Sequence, residues 1–139
     1  MTRTIREVMT GNPRTISAGA PVTDAARAMR DADVGAVIVL DDGKVGGIVT
    51  DRDITIRSTA FGYDPSSTPV RQVCSTDVTT LSPDDDLREA VLLMRSKNVR
   101  RLPVVDGNQP VGMVSLGDLA IERDPESALS DISVAPPNQ

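Results

Sequence analysis

The sequence predicts an α+β protein built from two copies of one β-α-β-β-α unit packed sheet to sheet. Three observations predict it: an ungapped internal repeat, helices with a single apolar face, and short strands that are apolar throughout. When the 139-residue chain is shifted by 65 residues, Ile5–Ser58 lies over Val70–Arg123 without a gap. Fourteen of the 54 aligned positions are identical, among them Arg6/Arg71, Ala25/Ala90, Met29/Met94, Val39/Val104, Gly47/Gly112, Val49/Val114 and Asp53/Asp118. Ordinary composition would give about three or four by chance. The chain is therefore read as a duplication.

Each copy opens with a lead-in helix, around Ile5–Met9 or Val70–Cys74, and a short extended stretch, Arg14–Ile16 or Thr79–Leu81. A helix follows, with Val22, Ala25, Ala26 and Met29 matched by Leu87, Ala90, Val91 and Met94. Those positions have the i, i+3, i+4, i+7 spacing of one buried face. Asp86 and Glu89 have the spacing of a capping box, whereas Pro21 stands at the equivalent place in the first copy, whose helix must start differently. Ala36–Leu40 and Leu102–Val105 lack polar alternation, which predicts strands buried on both faces. Asp42–Gly43 and Gly107–Asn108 are two-residue hairpin turns leading to partner strands Gly46–Val49 and Val111–Val114. A second helix begins near Asp51 or Leu116.

The boundaries follow from this pattern: residues 4–60 for the first repeat, a Pro- and Ser-containing linker at 61–69, residues 70–124 for the second repeat, and a tail at 125–139. The tail shows a short apolar pattern at Ala128, Leu129 and Ile132 that could dock as a helical turn, and then a Pro136–Pro137 end expected to fray. A single unit of this size has a marginal core, and pairing two of them remedies that.

Composition narrows the function. Aromatics are limited to Phe61 and Tyr63, so a bound base would be held between aliphatic side chains. With no histidine, the usual general base and the usual imidazole metal ligand are missing. The single cysteine, Cys74, allows no internal disulfide and points to a reducing compartment. The opening MTRTIREVMTGN carries no apolar signal core, and no apolar run is long enough to span a membrane. A cytoplasmic location and no membrane partner are expected. The net charge of −5 and the lack of stacking rings argue against nucleic acid as a partner. Asp51 and Asp53 could suggest paired carboxylates, but no nucleophile has an obvious base beside it, so no enzymatic activity is expected. Cys74 aligns with the apolar Met9, which favours a core thiol over a redox switch.

Two heptapeptides occupy matching places, Gly47-Ile-Val-Thr-Asp-Arg-Asp53 and Gly112-Met-Val-Ser-Leu-Gly-Asp118, each running from a strand into a helix start. Glycine lets the backbone approach a ligand closely. The hydroxyl of Thr50 or Ser115, beside helix N–H groups, suits phosphate oxygens. Asp53 or Asp118 can accept both hydrogen bonds of a ribose diol. The competing reading is a plain helix cap with the acid complementing the dipole.

These heptapeptides, together with Val99-Arg-Arg-Leu-Pro-Val-Val-Asp106, resemble the signature segments of CBS domains over about residues 4–123. The chain also resembles small stand-alone CBS-pair proteins of actinobacteria, including the hypoxic-response type. The resemblance implies pseudo-twofold packing of the repeats, with two clefts between them, and an adenine nucleotide or another adenosyl compound as regulatory ligand, with no obligatory cofactor. Carried over to this sequence, it puts Thr50, Arg52 and Asp53 in the first cleft, with Arg100 and Arg101 for phosphates and Val78 and Pro103 lining the base. Ser115 and Asp118 would serve the second cleft, where Gly117 replaces Arg52 and Gly35 and Ala36 replace the two arginines. The first cleft is therefore expected to bind more strongly. A homodimer is implied as well. The alternative is a ligand-free dimeric interaction or stress-response protein acting on an unknown partner through its surface.

Overall fold

A computed structural model describes residues 3–123. The tail at 125–139 lies outside the described residues. In chain order the elements are α1 (Ile5–Val8), β1 (Thr10–Gly11), β2 (Thr15–Ser17), α2 (Val22–Ala32), β3 (Ala36–Asp41), β4 (Lys44–Thr50), α3 (Asp51–Arg57), α4 (Leu87–Lys97), β5 (Arg101–Asp106), β6 (Gln109–Ser115) and α5 (Leu116–Arg123). Single 3₁₀ turns form at Thr59–Phe61 and Val70–Gln72. The second lead-in, expected as a helix, is thus only a short turn.

The chain divides into two compact units, and the division does not follow the sequence repeats. One unit is Arg14–Val78; the other joins the residues up to Pro13 with the chain from Thr79 onward. In the first unit β2 runs parallel to β3 and β3 antiparallel to β4. The Val70 lead-in closes this unit: Val70 N donates to Ala20 O, Arg71 N to Ala18 O, and Ser75 bridges to Ile48 on β4. In the second unit β5 and β6 are antiparallel, Leu81 bridges to Val104, and β1 pairs with β6 through Thr10 opposite Met113. Ile5 N donates to Asp85 O and Arg6 N to Pro83 O. Each of these bonds is the 65-residue translate of one in the other unit. Each lead-in thus completes the sheet of the opposite repeat. It brings an apolar anchor, Ile5 or Val70, both fully buried in the host unit.

Each unit has its own aliphatic core. Val22, Ala25, Met29, Val37, Val39, Val49, Val70 and Val73 pack together in one. Ile5, Leu81, Ala90, Met94, Leu102, Val104, Val114 and Leu119 do so in the other. Val22, Ala25 and Met29 of α2 and Ala90 and Met94 of α4 are buried as the periodicity predicts, and Leu87 and Val91 are partly buried; Ala26 is instead exposed, and Ala28 packs against the core. Both hairpins carry the same register shift, between Val39 and Leu40 and between Val104 and Val105. At the first turn Asp42 and Gly43 both take positive φ; at the second only Gly107 does. Asp33 and Asn98 end α2 and α4 in the left-handed conformation, which their short polar side chains tolerate.

The helix starts differ as the sequence suggests, with one correction. Pro21 provides no side-chain cap, and linker carbonyls substitute for it: Val22 N donates to Thr68 O and Thr23 N to Pro65 O. At α4 the expected box does not form between Asp86 and the N–H of Glu89. The Asp86 side chain instead accepts from Arg88 N at 2.9 Å. Its short carboxylate reaches the nearer N–H without the reciprocal bond. The Phe61 and Tyr63 rings stack on each other, 5.5 Å apart, and both are exposed.

Candidate functional site

The two heptapeptides form the same local device. Thr50 ends β4 in an extended conformation and caps α3; its hydroxyl accepts from Asp53 N at 3.1 Å, and Asp53 Oδ2 accepts from Thr50 N at 2.9 Å. Ser115 and Asp118 repeat this reciprocal box at the start of α5, with distances of 3.1 and 2.8 Å. A hydroxyl three residues before a carboxylate, at a strand-to-helix turn, satisfies two orphan donors at once. The plain-cap reading of these residues is thereby observed. It does not exhaust them: each box uses one carboxylate oxygen and leaves the hydroxyl hydrogen as a donor.

The motif glycines act differently from the sequence expectation that they make room for a ligand. A Cβ on Gly47 would lie 2.6 Å from Ser75 O and 3.1 Å from the Cys74 sulfur. A Cβ on Gly112 would lie 2.5 Å from the Met9 sulfur and 3.0 Å from Thr10 O. The room at each glycine is taken by the exchanged lead-in segment, because a bridge to β4 or β6 at this point brings backbone against backbone.

The other predicted residues fall as follows. Arg52 is exposed on α3, and its backbone N–H is held by Asp51 Oδ1 at 2.8 Å. Val78 is half-buried at the end of the same unit. Arg100, Arg101 and Pro103 belong to the other unit: Arg101 pairs with Ser115 across the β5–β6 ladder, Leu116 N donates to Arg100 O, and Pro103 is buried opposite Met113. The equivalent ladder position beside Thr50 is held by Ala36, and Asp51 N donates to Gly35 O. Within single units, then, Thr50, Arg52 and Asp53 come together, and so do Arg100, Arg101, Ser115 and Asp118.

One residue near the first motif was not anticipated. Arg57, one turn beyond Asp53, places its Nε 3.9 Å from Asp53 Oδ1 and donates from Nη1 to Val73 O at 3.4 Å. Asp53 is 13% exposed and Arg57 51%. The available signal was the i,i+4 Asp–Arg pair, which the second repeat replaces with Asp118 and Glu122. Nearby, Cys74 is buried in the core of its unit. Burial pushes its thiol pKa up, and the Asp53 charge adds to the effect.

The CBS domain family model matches residues 5–58 and 70–123, the two copies aligned from the sequence. The chain belongs to the CBS-domain family. It is 41% identical to the CBS domain-containing protein YhcV of Bacillus subtilis over 133 residues, 93% of this chain and 94% of the relative. It is 31% identical to Hypoxic response protein 1 of Mycobacterium tuberculosis over 118 residues, 84% of this chain and 82% of that one. A solved structure of Hypoxic Response Protein I with two coordinated zinc ions superposes with a TM-score of 0.77 at 29% identity, covering 85% of this chain and 97% of that one. A hexameric CBS-CP12 protein from bloom-forming cyanobacteria superposes with a TM-score of 0.80 at 27% identity, covering 95% and 76%. The expected resemblance to tandem CBS pairs, the hypoxic-response type included, therefore holds. The zinc belongs to that relative; in this CBS pair no three His, Cys, Asp or Glu side chains group into a metal site among the described residues. No described helix is long and apolar enough to cross a membrane.

Proposed function

We propose that this CBS pair is a non-catalytic regulatory module that binds an adenine nucleotide at the Thr50–Asp53 motif. The observation that carries this is the state of Asp53. It is a carboxylate 13% exposed, with Oδ2 fixed by its own helix cap and Oδ1 3.9 Å from the Arg57 Nε, beyond hydrogen-bond distance and so able to accept from a ligand. A ribose diol offers the two donors such an oxygen accepts, and the Thr50 hydroxyl hydrogen can meet a phosphate. Arg52 supplies a planar cation for the phosphates and Val78 apolar contact for the base, both from the unit that holds Thr50 and Asp53. Ser115 and Asp118 form the weaker site, because Gly117 brings no cation where Arg52 stands.

The ligand acts as a regulator, shifting the protein between states by its differential affinity for them. The working form is a cytoplasmic homodimer acting on a protein partner in trans. Calorimetric titration with AMP, ADP, ATP, NAD⁺ and S-adenosylmethionine tests the proposal. Saturable binding of one of them, lost in Asp53→Ala and kept in Asp118→Ala, is the expected result. Loss with Asp118→Ala instead would move the site to the motif beside Arg100 and Arg101.

A second reading has its own observation. Both motifs form reciprocal helix caps, and capping is reason enough for these residues in a protein that works through its surface and its dimer alone. A folded dimer that binds none of the five compounds would establish it.

A further inference from the structure

We infer that Arg57 is a positioning residue for ribose recognition, and that it distinguishes the first motif from the second. This rests on the nucleotide reading of Asp53 given above. Three contacts make the case. The Asp53 carboxylate is hydrogen-bonded through Oδ2, which accepts from Thr50 N. Its rotation is then decided by what Oδ1 meets, and the charged group facing Oδ1 is the Arg57 guanidinium at 3.9 Å. That guanidinium is tethered from the other side, since Nη1 donates to Val73 O. Val73 is itself fully buried in the core of this unit.

Arg57 thus spans from the exchanged lead-in to the acid of the motif. A guanidinium offers five donors in a fixed fork, so one edge can hold the Val73 carbonyl while another faces Asp53. The consequence is a mostly buried carboxylate that stays oriented with Oδ1 presented beside a fixed cation. In sequence the residue four after Asp118 is Glu122, so the second repeat has no i,i+4 arginine to match Arg57. The two motifs therefore differ in sequence at a second place besides Arg52 against Gly117, namely Arg57 against Glu122.

The test compares AMP with 2′-deoxy-AMP, which lacks one hydroxyl of the diol, on wild-type protein and on Arg57→Met. Melting curves establish that both proteins are folded. The inference expects AMP affinity to fall roughly fivefold in Arg57→Met, the size of one partly exposed ion pair. Affinity for 2′-deoxy-AMP should fall much less, so that discrimination between the two ligands shrinks. Equal losses for both ligands, or no loss for either, would overturn it while leaving the nucleotide site in place. Wild-type protein that binds neither compound would instead overturn the nucleotide reading on which it rests. If Arg57→Met does not fold, Arg57→Gln, which keeps a donor for the Val73 carbonyl without the charge, is read in the same way.

Discussion

The Arg14–Val78 unit and the unit completed by Thr79–Arg123 share one backbone and differ in charge. Both have a three-stranded sheet, the same bulge, the same left-handed helix stop and the same reciprocal box at the strand-to-helix turn. Beside Thr50 and Asp53 stand Arg52 and Arg57, with Ala36 across the ladder and Gly35 just before it; beside Ser115 and Asp118 stands Gly117, with Arg101 across the ladder and Arg100 just before it, and the sequence replaces Arg57 with Glu122. Duplication preserved the hydrogen-bonded frame because every group in it is needed to end a strand and start a helix. The side chains that project from the frame were not constrained in this way and diverged.

The largest expected effect concerns which residues belong to which unit. Ile5→Ala should cost about 3 kcal/mol, as for truncation of a fully buried aliphatic side chain. Its hydrogen-exchange protection should be lost first in Leu102–Val114 rather than in Val37–Val49. Protection lost first in the Arg14–Val78 unit would contradict the exchange of lead-ins.

Next comes ligand binding. Asp53→Ala should weaken nucleotide binding by about a hundredfold, equivalent to two charge-assisted hydrogen bonds. Asp118→Ala should change it little. Equal losses in calorimetry would erase the proposed difference between the motifs.

The two glycines give a smaller contrast. Gly47→Ala drives a Cβ against the Ser75 backbone carbonyl and should cost about 2 kcal/mol in urea unfolding. Gly112→Ala meets mainly the flexible end of Met9 and should cost less. The reverse order would mean that the two lead-ins are not held alike. Thr50→Ala and Ser115→Ala should each lower stability by about 1 kcal/mol through loss of the cap; a difference between them would show that one box carries more than capping.

The smallest effect is at Cys74. Burial and the neighbouring Asp53 hold its thiol pKa above the ordinary range, so the thiol stays protonated at neutral pH. Peroxide or an alkylating reagent should leave it unmodified in the folded protein and react once the chain is unfolded. Rapid modification of the folded form, read by mass spectrometry, would make it a redox site after all.

Much of this was legible in the sequence because it depends on local spacing. The helical period of Val22, Ala25 and Met29, the turn at Asp42–Gly43 and the unbroken apolar run Ala36–Leu40 each depend on residues a few positions apart, and they appear where expected. The capping role of the motif residues was legible too, and both boxes form. What stayed hidden required knowing which segments meet. Glycine at 47 and 112 signalled close approach, but not that Ser75 or Thr10 would be what approaches.

The sequence by itself determined the duplication, the order of elements within each copy and the identity of the two caps, since periodicity and capping act over one or two turns of chain. Only the tertiary structure decided that Ile5 completes the second repeat and Val70 the first. Two near-identical copies offer each lead-in two near-identical sockets, and local pattern cannot choose between them. The tertiary structure likewise decided that Arg57, tied to Val73, turns toward Asp53. That contact needs the second repeat's lead-in folded against the first repeat's helix.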